Sequence, residues 1–139
     1  MPDILHEVTI QGSPEKVYDA LTHQEGLESW WTTNAKAEPK EGTILEFQFH
    51  NPDAMFKMEV AKLEPGKKVY WNVLQGAPDW GGTHVTWDLE AVGGGTKVLF
   101  GHRDYASYGG SFASVSYSWA WFLTSLKMYI ETGQGTPAS

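Results

Sequence analysis

The residues best suited to chemistry are concentrated in one stretch, GHRDYASYGG at residues 101–110. Five of its side chains are ionisable: His102, Arg103, Asp104, Tyr105 and Tyr108. Because histidine exchanges protons near neutral pH, His102 with Asp104 or a tyrosine could perform acid–base chemistry. Alternatively, His102 and a tyrosine orient the polar end of a bound molecule, or His102 is a hydrogen-bonded core residue beside solvated neighbours. The spacing alone assigns no catalytic residue.

Other catalytic and metal-binding patterns are missing from the sequence. Cysteine is absent, and no two histidines have the spacing of a helical ligand pair. The five histidines are scattered: His6, His23, His50, His84 and His102. The Gly-x-Ser-x-Gly turn that presents a nucleophilic serine is also absent. We therefore predict neither a metal site nor a cofactor.

Aromatic residues make up 14% of the chain, which is a high content. It indicates either a ring-rich core or a cavity that binds a small apolar or aromatic compound, such as a lipid or a polyketide-like metabolite. The candidate ligand-binding residues are Trp30, Phe47, Phe49, Phe56, Met58, Trp71, Trp87, Phe100, His102, Trp119 and Phe122. Some of these rings must fill the core, since protein interiors are close-packed. Trp80 lies in the loop QGAPDWGG. Three interpretations are open for it: a lid over the pocket, an interface residue, or a residue that packs within its own loop.

Composition narrows the class of protein. The 139 residues suit one domain, which we place at residues 1–135, followed by a frayed tail at 136–139. The net charge of −7 and the scattered Lys and Arg residues argue against nucleic-acid binding. The N-terminal sequence MPDILHEVTI does not resemble a signal peptide, and no apolar run approaches the ~20 residues that span a bilayer. We expect a cytoplasmic protein without membrane insertion.

One long helix organises the predicted fold. Residues 111–132 place apolar side chains on one side at helical spacing, and Gly133 follows as a natural helix end. The opposite side carries three further apolar residues, Tyr117, Trp121 and Met128, where polar residues are usual. Such a stripe indicates a contact surface, so we predict a homodimer or partner interface there.

The remaining chain predicts a sheet that receives this helix. A first strand at Ile4 to Gln11 is followed by two short helices, the first started by Ser13 and Pro14. From Gly42 onward every second residue is apolar, which predicts β-strands. Short turns join these strands, so they must be antiparallel. One face of the strands is aromatic and the other polar. The patterns predict an α+β fold in which a curved antiparallel sheet of about six strands grips the terminal helix.

Several stretches, in order, resemble a known family. They are IQGSPEKVYDALT (10–22), LESWWT (27–32), EGT (41–43), GTKV (95–98) and WAWFLTSLKMYIETG (119–133). The chain resembles the START-like (SRPBCC, Bet v 1-like) helix-grip superfamily and, within it, the family of the activator of Hsp90 ATPase, in its small single-domain bacterial form. The resemblance implies a cavity between the sheet and the long helix, but little about chemistry.

Three functions remain open at this stage. The first is binding of a small hydrophobic molecule in a cavity. The second is a protein-interaction or co-chaperone-like module, with a filled core and an exposed apolar patch. The third is an enzyme that acts on a hydrophobic substrate through His102 and Asp104 or a tyrosine.

Overall fold

The computed structural model describes residues 1–49 and 55–138 and shows a strand, two short helices, six further strands and a long terminal helix. The elements are β1 (Ile4–Ile10), α1 (Pro14–Thr22), α2 (Gln24–Trp30), β2 (Asn34–Lys36), β3 (Ile44–Gln48), β4 (Phe56–Glu64), β5 (Lys68–Gln75), β6 (His84–Val92), β7 (Gly95–Arg103) and α3 (Phe112–Thr132). The α+β class, the two short helices after the first strand and the single long terminal helix are confirmed.

Within the described residues the strands form one antiparallel sheet in the order β1-β7-β6-β5-β4-β3-β2. The sheet has seven strands because β2, which was not predicted, pairs with the edge of β3, Asn34 opposite Gln48. Two register shifts between β4 and β5, at Lys57/Met58 and at Val60/Lys62, bend the sheet. The expected curved sheet is therefore present, with one additional short edge strand.

The helix α3 packs on the concave face of this sheet. Trp119, Leu123 and Leu126 are buried against the strands, as the helical spacing predicts. The helix ends at Gly133, whose φ of 85° is the left-handed conformation that favours glycine. At its start, the carboxylate of Asp79, in the β5–β6 loop, accepts hydrogen bonds from the Ser111 amide (2.9 Å) and hydroxyl. The loop and the helix are thereby fixed to each other.

Residues 136–138, where a frayed tail was expected, are hydrogen-bonded to the body of the protein. The Thr33 amide donates to the Ala138 carbonyl, and the Ala138 amide donates to the Trp31 carbonyl, both at 2.9 Å. The Thr136 amide donates to the hydroxyl of Ser125, which is buried in α3. These bonds are made by the backbone of the segment, so its side chains gave no signal of them.

None of the helices in residues 1–49 and 55–138 has the length and apolar character that a bilayer span requires.

Candidate ligand pocket

A pocket of about 340 Å³ lies between α3, the β5–β6 loop and the ends of β3 and β4. Its lining is almost wholly apolar and consists of Trp31, Phe49, Phe56, Ala77, Trp80, Val115, Ser118, Trp119, Phe122 and Ala138. No ionisable side chain occurs among these lining residues. The described part of the lining can therefore hold an apolar body but offers no charge to a ligand.

The helix α3 supplies one wall of the pocket through its repeat. Val115, Trp119 and Phe122 are separated by four and three residues, so they lie on the same side of the helix. Ser118, one residue before Trp119, reaches the mouth of the pocket and brings the one hydroxyl among the lining residues. The predicted inner face of the helix thus continues directly into the pocket wall.

Aromatic rings form the opposite walls and contact one another. The Phe49 ring stacks on Phe122 with centroids 5.7 Å apart and meets Phe56 edge-on at 5.3 Å. Phe56 in turn contacts Trp80, also at 5.3 Å. Phe49, Phe56 and Phe122 are only partly buried, so their rings present apolar surface to the pocket. This exposed ring surface is what a bound apolar molecule would cover.

Only part of the predicted lining reaches the pocket. Of the eleven candidates, Phe49, Phe56, Trp119 and Phe122 line it. Seven lie instead in the packed core away from its lining: Trp30, Phe47, Met58, Trp71, Trp87, Phe100 and His102. The physical reason is Trp31, whose ring stacks on Trp71 at 5.6 Å and contacts Phe47 at 4.2 Å, filling the space below the pocket.

Six lining residues were not among the eleven ligand-binding candidates: Trp31, Ala77, Trp80, Val115, Ser118 and Ala138, although a lid was one interpretation of Trp80. Val115 carried a usable signal, since it belongs to the apolar side of α3. Trp80 also carried one, as a tryptophan in a loop rich in Gly and Pro. Ala77 and Ala138 carried none, because small side chains line a pocket only through where the backbone places them.

Trp80 is folded inward, not exposed on its loop. Its amide donates to the Ala77 carbonyl at 2.9 Å, and its carbonyl accepts from the Thr83 hydroxyl at 2.6 Å. The indole lies over Gly76, where a Cβ would come within 2.5 Å of the ring. Any side chain at residue 76 would therefore displace this wall of the pocket.

His102 joins two walls of the pocket from behind. The side chain is fully buried, and its Nδ1 atom accepts a hydrogen bond from Trp119 Nε1–H at 3.1 Å. Because indole nitrogen can only donate, Nδ1 carries no proton and Nε2 does. Nε2–H then donates to the Thr83 hydroxyl at 2.9 Å, and the Thr83 O–H in turn donates a hydrogen bond to the Trp80 carbonyl. One neutral histidine thus holds Trp119 and the Trp80 loop together.

Burial controls the protonation of this network. Desolvation lowers the pKa of His102 to about 4, although the nearby Asp79 carboxylate acts in the opposite direction. Burial, and then the same carboxylate, raise the pKa of the neighbouring Tyr105 hydroxyl. The pKa of Asp79 itself is lowered: desolvation acts to raise it, but the Ser111 hydrogen bonds outweigh desolvation. Near neutral pH, His102 and Tyr105 are therefore uncharged.

Of the acid–base pairs considered from the sequence, His102 with Asp104 is not formed, whereas a tyrosine, Tyr105, lies beside His102. Asp104 points away from His102, and its carboxylate lies 3.4 Å from His84 Nε2 near the surface. Both nitrogens of His102 are already engaged, and the Tyr105 hydroxyl lies 3.4 Å from the one that accepts. The histidine serves here as a structural hydrogen-bonding residue, which was one of the sequence interpretations.

In residues 1–49 and 55–138, no three histidine, aspartate or glutamate side chains are grouped so as to hold a metal ion. His50 lies outside the described residues. A larger groove of about 710 Å³ lies between α1, α2 and the end of α3, lined in part by Lys16, Asp19 and Glu25. Its mixed charge distinguishes it from the apolar pocket, which remains the candidate site.

A curved antiparallel sheet closed around one terminal helix, with an apolar pocket between them, defines a helix-grip protein. The family model described as activator of Hsp90 ATPase homolog 1-like protein matches residues 11–131. The chain belongs to this family, which confirms the resemblance seen in the sequence.

Solved structures give the same result. One is the solution structure of the Aha1 dimer from Colwellia psychrerythraea, whose sequence is 36% identical to this chain. The two structures match with a TM-score of 0.89 over 97% of this chain and 100% of that chain. Two crystal structures share the fold. A protein from Staphylococcus saprophyticus is 19% identical with a TM-score of 0.82, and the match covers 99% of this chain and 98% of that chain. A protein from Mesorhizobium loti is 21% identical with a TM-score of 0.80, and the match covers 94% of this chain and 97% of that chain. Among curated proteins, none matches this chain.

Proposed function

We propose that the protein binds a small, uncharged apolar or aromatic molecule in the pocket between the sheet and α3. The observation that carries the proposal is the wall formed by Phe49, Phe56 and Phe122, whose rings keep exposed surface inside a pocket of about 340 Å³. Covering such surface is favourable by roughly 25 cal/mol per Å². A core that had no ligand to hold would be expected to bury these rings completely.

The lining also limits the chemistry of the ligand. Because none of the described lining residues has an ionisable side chain, a charged group beside them would lose its hydration without gaining a partner. The Ser118 hydroxyl, at the mouth, can hydrogen-bond one polar group. The volume lies near the lower end of the roughly 300–1,000 Å³ typical of small-molecule pockets. These features favour a compact ring compound over a long acyl chain.

A neutral fluorophore tests the proposal. We expect N-phenyl-1-naphthylamine to bind the native protein with a blue-shifted, saturable fluorescence signal. Ala77→Phe places a ring inside the pocket and should weaken this binding at least tenfold, because the ring occupies the ligand's space. Ala91→Phe adds the same ring at an exposed position of β6 and should leave binding unchanged.

Two results would contradict the proposal. One is the absence of saturable binding to protein whose near-UV circular dichroism shows native packing. The other is equal binding by the Ala77→Phe variant, which would place the fluorophore elsewhere on the protein.

A second candidate function is self-association, and a specific surface favours it. Tyr117, Trp121 and Met128 are 77%, 56% and 40% exposed along the outer side of α3. A relative that is 36% identical over nearly the whole chain is described as a dimer. Exposed aromatic residues in one stripe are typical of protein interfaces. We infer that two copies of this chain associate through this side of α3.

The association predicts a concentration-dependent mass. Sedimentation equilibrium of the wild-type protein should show a dimer at high micromolar concentration, whereas Trp121→Glu should remain monomeric because it places a charge in the apolar stripe. A wild-type protein that is still monomeric at 1 mM would contradict the inference.

A further inference from the structure

The apolar pocket and the outer side of α3 share a rim. A groove of about 440 Å³ runs along the outer side, lined by Tyr117, Ser118, Trp121, Phe122, Thr136, Pro137 and Ala138. Three of these residues, Ser118, Phe122 and Ala138, also line the apolar pocket. The mouth of the pocket therefore opens beside the groove, within one helical turn of Trp121.

The exposed side of α3 next to this rim carries no charge. From Phe112 to Leu126 the helix has no ionisable residue except Tyr117, although the protein has a net charge of −7. The exposed residues of this part are Ala113, Ser114, Tyr117, Ser118, Ala120, Trp121 and Thr124. Two molecules of the same negative charge can approach each other most easily where neither presents a carboxylate. This argues for a second copy of the chain as the occupant of the groove.

In a dimer with twofold symmetry, the projecting groups and recesses of this surface would have to fit those of an identical surface. In a dimer with twofold symmetry, the same patch is present on both partners, so a projecting group on one copy needs a recess on the other. The exposed indole of Trp121 is such a group, and the groove between α3 and residues 136–138 is such a recess. The partner subunit's Trp121 would then lie beside Ser118 and Phe122, at the mouth of the pocket.

We propose that dimerisation closes the mouth of the pocket, so that ligand binding and dimer formation strengthen each other. This inference rests on the proposed ligand binding and self-association and joins them. With the partner seated, a ligand is covered on the side that α3 leaves open, and it leaves only after the subunits separate. Thermodynamic linkage requires the reverse effect as well: a ligand that binds the dimer more tightly must also tighten the dimer, by the same factor for each ligand bound.

The test measures N-phenyl-1-naphthylamine affinity and release on both sides of the dimerisation equilibrium. For the wild-type protein, the dissociation constant should fall about tenfold, and release should slow, when the protein concentration rises above the dimer dissociation constant. Trp121→Glu should be monomeric and bind with the weaker affinity at all concentrations. Trp121 does not line the pocket, so this variant leaves the binding site itself intact. Leu5→Glu, a similarly exposed apolar residue on β1, should behave as the wild type.

Each failure has a different meaning. If Trp121→Glu is monomeric but binds and releases the fluorophore as the wild-type dimer does, the coupling is wrong while ligand binding stands. If no variant binds the fluorophore, the proposed binding function and the coupling both fail. If the wild type binds the fluorophore but stays monomeric at 1 mM, the second copy is not the occupant of the groove, and the coupling fails for that reason.

Discussion

Replacing Trp31 with alanine should lower the free energy of unfolding by about 3–5 kcal/mol, the cost typical of removing a large buried ring. The Trp31 side chain is 1% exposed and contacts several rings at once. It stacks between Trp30 and Trp71, at 5.7 and 5.6 Å, and lies 5.6 Å from Trp119 on α3. Truncation removes the layer that joins the sheet to the helix and opens a void beneath the pocket.

Guanidinium denaturation followed by far-UV circular dichroism would measure this loss without depending on tryptophan emission. Trp31→Phe should lose less, since it keeps one ring in the stack. In monomeric protein, below the dimer dissociation constant, Trp121→Ala removes an indole that is 56% exposed and should change stability by no more than about 0.5 kcal/mol. A loss below about 1 kcal/mol in Trp31→Ala would show that the stack does not hold the sheet and helix together.

Lowering the pH should destabilise the protein through His102. In the folded state its pKa is about 4, whereas an unfolded histidine has a pKa of about 6.5. Below pH 6.5 the unfolded chain therefore takes up a proton that the folded protein does not. The free energy of unfolding therefore has its full value, as far as His102 is concerned, above pH 6.5. It falls by ~3 kcal/mol in total as the pH is lowered toward 4.

Denaturation midpoints measured between pH 7 and 4 would check this expectation. Carboxylates also titrate near the lower limit, so the decisive quantity is the difference between variants. His102→Gln should lose the part of the pH dependence that His102 causes. The variant should also be less stable than the wild type at pH 7, because the hydrogen bonds to Trp119 and Thr83 are altered. Equal slopes in His102→Gln and the wild type would contradict the assignment.

The sequence was sufficient for the fold because the strongest patterns belong to the largest elements. The helical spacing of apolar residues before Gly133 predicted α3, and the alternation in β4 to β7 predicted paired strands with one aromatic face. It could not predict β2, since Asn34–Lys36 is a short segment that becomes a strand only by pairing with β3. Pairing of backbone groups far apart in sequence leaves little trace in side-chain type.

The pocket was harder to predict than the sheet and helix around it. Alternation places Phe47, Trp71 and Trp87 on the concave face, but it does not say which rings are covered by other rings. That depends on Trp31, at the end of α2, whose side chain turns under α3 and buries the centre of the sheet. His102 was placed correctly on the inner side of β7, but its partners Thr83 and Trp119 come from elements whose approach no local pattern reveals.

The absence of charge on the exposed side of α3 from Phe112 to Leu126 has a consequence for the solution conditions under which two copies meet. Interfaces built from ion pairs weaken as salt screens their attraction. Here the charges lie elsewhere on each subunit, and their net effect is mutual repulsion between two bodies of formal charge −7. Dissolved electrolyte screens that repulsion and leaves the apolar contact intact, so pairing through this side should become tighter as ionic strength rises.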